Sequence, residues 1–146
     1  MRNLNESATL FGIGFNSASM YGELEKIEQK QDFNYNLFSY IGKEFIGWGE
    51  YAFSLKKGDI TEKLLGEDRE KYIICMKLLT DNLGKEEYHK RRNNFFRVKS
   101  TIESIINKEE TFREDVENAK LFFKELSDKV LSEQEKISKN SSYIFL

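Results

Sequence analysis

The chain of 146 residues contains no proline, one cysteine and one histidine. Because proline is the strongest helix breaker, its absence leaves long helices unobstructed. One cysteine excludes a disulfide framework, and one cysteine with one histidine is too few for an ordinary structural zinc site. No apolar run approaches the roughly 18 residues of a membrane-spanning helix. We therefore expect a reducing, cytoplasmic compartment and no cofactor or metal.

Aromatic and charged residues are abundant instead. The chain has 12 Phe and 7 Tyr, 39% hydrophobic and 33% charged residues, and a net charge of -2. This balance is typical of a folded protein and not of a disordered one. The length is that of one ordinary domain, so residues 1–146 are predicted to form a single helical domain.

A first helix is predicted over residues 17–57. Its apolar residues from Met20 to Leu55 recur in steps of four and three, a repeat typical of helices that pack as coiled coils. Gln31 and Asn34 are the polar interruptions. Gly58 suits the left-handed position just beyond a helix.

Two further helices are predicted over residues 60–83 and 86–139. In the last of them, the four-three spacing of apolar residues continues from Phe95 to Ile137. A break near Asn107, where Asn107 and Glu110 could form a cap, is the alternative to one continuous helix. A helix of about 54 residues is roughly 80 Å long and needs a long partner. The expected fold is therefore all-α: an elongated antiparallel three-helix bundle or coiled coil, which forms a dimer.

Both termini interrupt the pattern. Residues 1–16 are predicted to be irregular, and residues 140–146 to form an apolar tail. The apolar stretches at 9–15 and 142–146 could pair as strands, pack across the end of the bundle, or bind a partner. We expect packing, because apolar termini in water are unfavourable.

Motifs for catalysis are weak. Glu86 and His89 have the spacing of a helical di-iron ligand pair, but the second Glu-x-x-His that such a site needs is absent. Gly12 and Gly14 resemble half of a dinucleotide-binding turn without its third glycine. Cys75 lies in an apolar run and is expected to be buried. The sequence therefore predicts no enzyme.

The one notable charged feature is residues 85–99, which carry a net charge of +4 in an acidic chain of pI 5.6. Its basic residues are Lys85, Lys90, Arg91, Arg92, Arg97 and Lys99. They form either a solvated helix face or a site for anions. An anionic membrane would contribute about 1 kcal/mol for each basic residue near it, whereas the overall acidity disfavours nucleic acid.

Three segments carry a resemblance to a known family: Glu44-Phe45-Ile46-Gly47-Trp48, Glu70-Lys71-Tyr72 and Tyr88-His89-Lys90-Arg91-Arg92. Across residues 17–139 the pattern resembles a short version of the BAR domains, particularly of the sorting-nexin kind. The resemblance implies three long antiparallel helices that dimerise and present basic faces to anionic membranes.

We therefore expect a non-catalytic helical scaffold or interaction module, which is a homodimer, has a protein partner and binds anionic membrane surfaces through the basic segment. One alternative is a nucleic-acid-binding accessory protein that uses the same residues. The other is an adaptor that docks to proteins through its apolar termini.

Overall fold

The computed structural model describes residues 2–54 and 84–144 of the chain. These residues form four helices and no strand, so the all-α prediction is confirmed for them. None of the helices is sufficiently long and apolar to cross a membrane. The predicted helix over 60–83, with Cys75, lies outside the described residues. The helices are α1 (Arg2–Glu28), α2 (Tyr35–Ser54), α3 (Lys85–Ile106) and α4 (Arg113–Ile144).

The prediction of one helix over residues 17–57 was wrong, because the chain reverses between α1 and α2. Lys30 has a left-handed backbone conformation, with φ of 58°. Its N–H donates to the carbonyl of Ile27 (3.1 Å), and the N–H of Gln31 donates to that of Lys26 (2.8 Å). These two bonds define a Schellman motif, which ends a helix by satisfying its last carbonyls.

The predicted helix over 86–139 is likewise two helices, and the break falls at Asn107. Lys108 also has φ of 58°. The N–H of Lys108 donates to Ile105 (3.1 Å), and that of Glu109 donates to Ser104 (2.8 Å). The two connections therefore end their helices with the same motif.

The termini also differ from the prediction. Residues 2–16 are helical and not irregular, and α4 continues through Ile144, so most of the predicted tail is helix. Glycine inside a helix costs about 0.5–1 kcal/mol relative to alanine. At Gly14 that cost has a packing reason, since an added Cβ would lie 2.9 Å from Val130 Cγ1. Because both apolar stretches are helical where the structure describes them, the alternative that they pair as strands is wrong for these residues.

All four helices contribute to one apolar core. Phe45 of α2 is its central aromatic residue, with ring centroids 5.6 Å from Phe95, 5.6 Å from Phe122 and 4.6 Å from Phe123. Helices in contact run antiparallel. The contacts that show the directions join Met20 to Gly42, Tyr35 to Ile106, Phe53 to Tyr88, Arg97 to Asp115, Asn94 to Asn118, Gly14 to Val130 and Glu28 to Lys120.

Candidate anion-binding surface

The six basic residues predicted as a site all lie on α3, but they do not share one face. Lys85, Arg92 and Lys99 are seven residues apart and so lie along one side of the helix. Lys90 and Arg97 have the same spacing along another side. Because an α-helix turns by two full turns in about seven residues, these are two separate stripes.

The stripe of Arg92 and Lys99 is used to hold α3 against α2. Arg92 Nε donates to the backbone carbonyl of Phe53 (3.2 Å). Lys99 Nζ lies 2.9 Å from a carboxylate oxygen of Glu50. This hydrogen bond raises the pKa of Lys99 above its ordinary value. Both cations also lie over the ring of Phe96, at 5.1 and 5.8 Å. Lys99 is therefore neutralised within the fold, while Arg92 has a neutral partner.

The second stripe contains one strong and one weak pair. Arg97 Nε lies 2.8 Å from a carboxylate oxygen of Asp115 on α4. Lys90 Nζ is 3.8 Å from Glu86 and 3.9 Å from Glu87, and all three side chains are exposed. Exposed pairs at such distances contribute about 0–1 kcal/mol. Lys90 is therefore available to an anion, whereas Arg97 is held by α4.

Arg91 interacts with a further cation, Lys129 of α4. It is half-buried and has no hydrogen bond or ion pair to another residue in 2–54 or 84–144. Burial lowers the pKa of Lys129 on α4, and the positive charge of Arg91 lowers it further, although Glu125 acts in the opposite direction. The positive charge of Arg91 on α3 therefore acts on Lys129 of the adjoining helix α4.

The positive charge is concentrated at the beginning of α3. We use the name cation cluster for Lys85, Lys90 and Arg91 of α3 with Lys129 of α4, which lie around the beginning of α3 and not along a single side of it. Within the described part of the chain, Lys85 has no hydrogen bond or ion pair. The sequence could not show Lys129 as a member, because α4 brings it there.

The weak catalytic motifs gain no support from the fold. His89 is exposed, and its ring lies 5.9 Å from that of its neighbour Tyr88. No group of three or more His, Cys, Asp or Glu side chains in residues 2–54 and 84–144 could hold a metal ion. Gly12 and Gly14 lie inside α1, so they form no dinucleotide-binding turn.

No known protein family matches the chain, and no curated protein or solved structure is significantly similar to it.

Proposed function

We propose that the protein is a non-catalytic helical interaction module, which binds an anionic membrane surface through the cation cluster. The observation that carries the proposal is the lack of strong counter-charges at the beginning of α3. Within residues 2–54 and 84–144, Lys85 and Arg91 have no hydrogen bond or ion pair, and Lys90 has only the long, exposed pairs with Glu86 and Glu87. An anionic surface would supply counter-charges to these cations.

The proposal includes a finer arrangement. The cation cluster lies on an elongated antiparallel bundle that dimerises, as the resemblance to BAR domains implies. As an interaction module of a reducing compartment, the dimer also binds a protein partner in the cytoplasm. A dimer presents two cation clusters. Two weak sites on one surface bind with an effective concentration that neither has alone, provided that both reach the surface together.

Co-sedimentation with vesicles tests the proposal. Wild-type protein should pellet with vesicles that contain phosphatidylserine, less so at higher salt, and should not pellet with neutral phosphatidylcholine vesicles. The double variant Lys85→Gln with Arg91→Gln removes two charges of about 1 kcal/mol each, which corresponds to about 30-fold weaker binding.

A matched control removes the same charge elsewhere. Lys30→Gln with Lys108→Gln acts in the two helix connections, about 25 Å along α3 from Arg91. This distance exceeds the Debye length of about 8 Å at physiological salt, so binding should change less than about twofold. Equal losses in both double variants would show that only net charge matters, and would contradict the proposed site.

Nucleic acid is the competing ligand for the same cations. The protein could retain labelled DNA or RNA with a steep salt dependence and fail to pellet with anionic vesicles. That result would identify nucleic acid, and not a membrane, as the ligand. In that result, the Lys85 and Arg91 double variant would still lose binding.

A further inference from the structure

The helix α1 has a second apolar face besides the one in the core. Ala8, Phe11, Phe15 and Ala18 are exposed and recur in steps of three and four, and Gly22 continues the spacing. Phe11 is 65% exposed and Phe15 62%, and their rings stack at 6.5 Å. We call these five residues the outer stripe. The core face of α1 is formed by other residues, namely Leu10, Ile13, Met20 and Leu24.

The surroundings of the outer stripe suit another helix. Residues 7–22 contain no Asp, Glu, Lys, Arg or His, so a covering helix would desolvate no charge. An added Cβ at Gly12 or Gly22 would have no atom within 4 Å, so the space beside the stripe is open. Small residues around large ones allow two helix axes to approach closely.

We propose that the outer stripe pairs with the same stripe of a second copy of this chain, in antiparallel orientation. The spacing is self-complementary about a two-fold axis between Phe11 and Phe15. In this register Phe11 lies against the partner's Phe15, and Ala8 lies against the partner's Ala18. An antiparallel coiled coil builds its layers from such alternate positions, and an interface that pairs one patch with itself closes as a dimer.

The helix dipole and one carboxylate favour the antiparallel orientation. Glu23, which is buried, and Glu28 are each paired with a lysine of the same chain, so both are neutralised within the fold. A parallel pair would still bring Glu25 beside the Glu25 of the second copy, and it would align the two helix dipoles. The antiparallel pair separates them. A membrane fits the stripe less well, because residues 7–22 supply no cation to meet an anionic surface.

The exposed area indicates a weak dimer. An aromatic side chain buries about 150–250 Å². With Phe11 and Phe15 nearly two thirds exposed, the four rings of a dimer would remove about 400–650 Å² from water. Stable interfaces bury about 1,200–2,000 Å². The adjoining turns of α1 must therefore contribute, and we expect a weak association that depends on concentration.

The inference rests on the dimeric part of the proposed function only. The cation cluster takes no part in it, so vesicle binding and self-association can fail separately. Sedimentation equilibrium between about 5 μM and 1 mM measures self-association of the full chain. The wild type should show a monomer–dimer equilibrium, and Phe11→Glu and Phe15→Lys should each weaken it at least tenfold. Phe112→Glu, at a 71% exposed phenylalanine outside the stripe, is the matched control and should leave it unchanged.

A mixture of the two charged variants tests the register. In the antiparallel dimer, Phe11→Glu of one chain meets Phe15→Lys of the other, and the remaining layer keeps two phenylalanines. The mixture should therefore recover dimer that neither variant forms alone. In a parallel pair the new charges would not meet. Circular dichroism should show unchanged helicity, since both substituted positions are exposed.

Four results would overturn the inference. They are a monomeric wild type over the whole concentration range, a dimer unaffected by Phe11→Glu, a dimer equally weakened by Phe112→Glu, and no recovery in the mixture. A monomeric wild type whose vesicle binding is lost in Phe11→Glu would assign the outer stripe to a membrane instead.

Discussion

The same substitution, glycine to alanine, should have opposite effects at two helical positions. Gly49 in α2 lies against Phe95, and an added Cβ would overlap Cε1 and Cζ of that ring. Ordinary contact begins near 3.4 Å, so the ring would have to move by more than 1 Å. At Gly22 in α1, an added Cβ would meet nothing within 4 Å.

The magnitudes follow from the packing around Phe95. Its side chain is fully buried, and rings of Phe45, Phe53 and Phe96 lie 5.6, 5.3 and 5.2 Å from it, so it has no free space to enter. Overpacking of this kind costs about 3 kcal/mol, at the upper end of its usual range. Alanine in place of glycine stabilises the helix by about 1 kcal/mol through its higher helix propensity. Gly49→Ala should therefore lose about 2 kcal/mol.

Urea unfolding followed by circular dichroism measures the difference. In the monomer, at concentrations below those of self-association, Gly22→Ala should gain about 0.5–1 kcal/mol, because only the helix propensity acts there. Phe95→Leu removes the two ring atoms nearest to Gly49, so Gly49→Ala should cost much less in that background than in the wild type. A Gly49→Ala protein as stable as wild type would refute the packing of α2 against α3, and a destabilised Gly22→Ala protein would refute the open surroundings of Gly22 in α1.

Two further predictions concern lysines. Lys30→Gly and Lys108→Gly should each raise the free energy of unfolding by about 0.5–1 kcal/mol, since both residues have positive φ; a loss in urea unfolding would contradict the Schellman connections. A hydrogen bond to Glu28 raises the pKa of Lys120, whereas burial and a neighbouring arginine lower that of Lys129. The stabilisation from protonated Lys120 is therefore fully present below pH 10.5, and it is lost as the pH rises through the higher pKa of Lys120 in the folded protein. Lys120→Met should remove this pH dependence of the free energy of unfolding. Lys129→Met should leave the free energy of unfolding at pH 7 unchanged or raise it. Equal losses in Lys120→Met and Lys129→Met would contradict the different surroundings of the two lysines.

The apolar spacing predicted many of the residues that face the core but not where the chain turns. Phe112, which continues the spacing, is exposed at the second connection, and Leu10 and Ile13 of the segment predicted as irregular are buried. Phe38 lies eleven positions after Ile27, and Val116 lies eleven positions after Ile105. Eleven residues equal three steps of a four-three repeat, so the pattern continues through each connection as if the helix did. Gln31, which stood as a polar interruption of the repeat, belongs to the first connection. Because lysine holds the left-handed position in both, no glycine marks either turn.

The charged surface was predictable only as a list of cations on one helix. Sequence spacing assigns each cation to a side of α3, but the carboxylates that neutralise Lys99 and Arg97 come from α2 and α4. The same packing of α4 that neutralises Arg97 brings Lys129 within electrostatic range of Arg91. Helix packing therefore lowers the positive charge in the middle of α3 and raises it at its beginning. The net charge along the sequence cannot show this redistribution. Mutations at the beginning of α3 therefore test anion binding more directly than mutations in its middle.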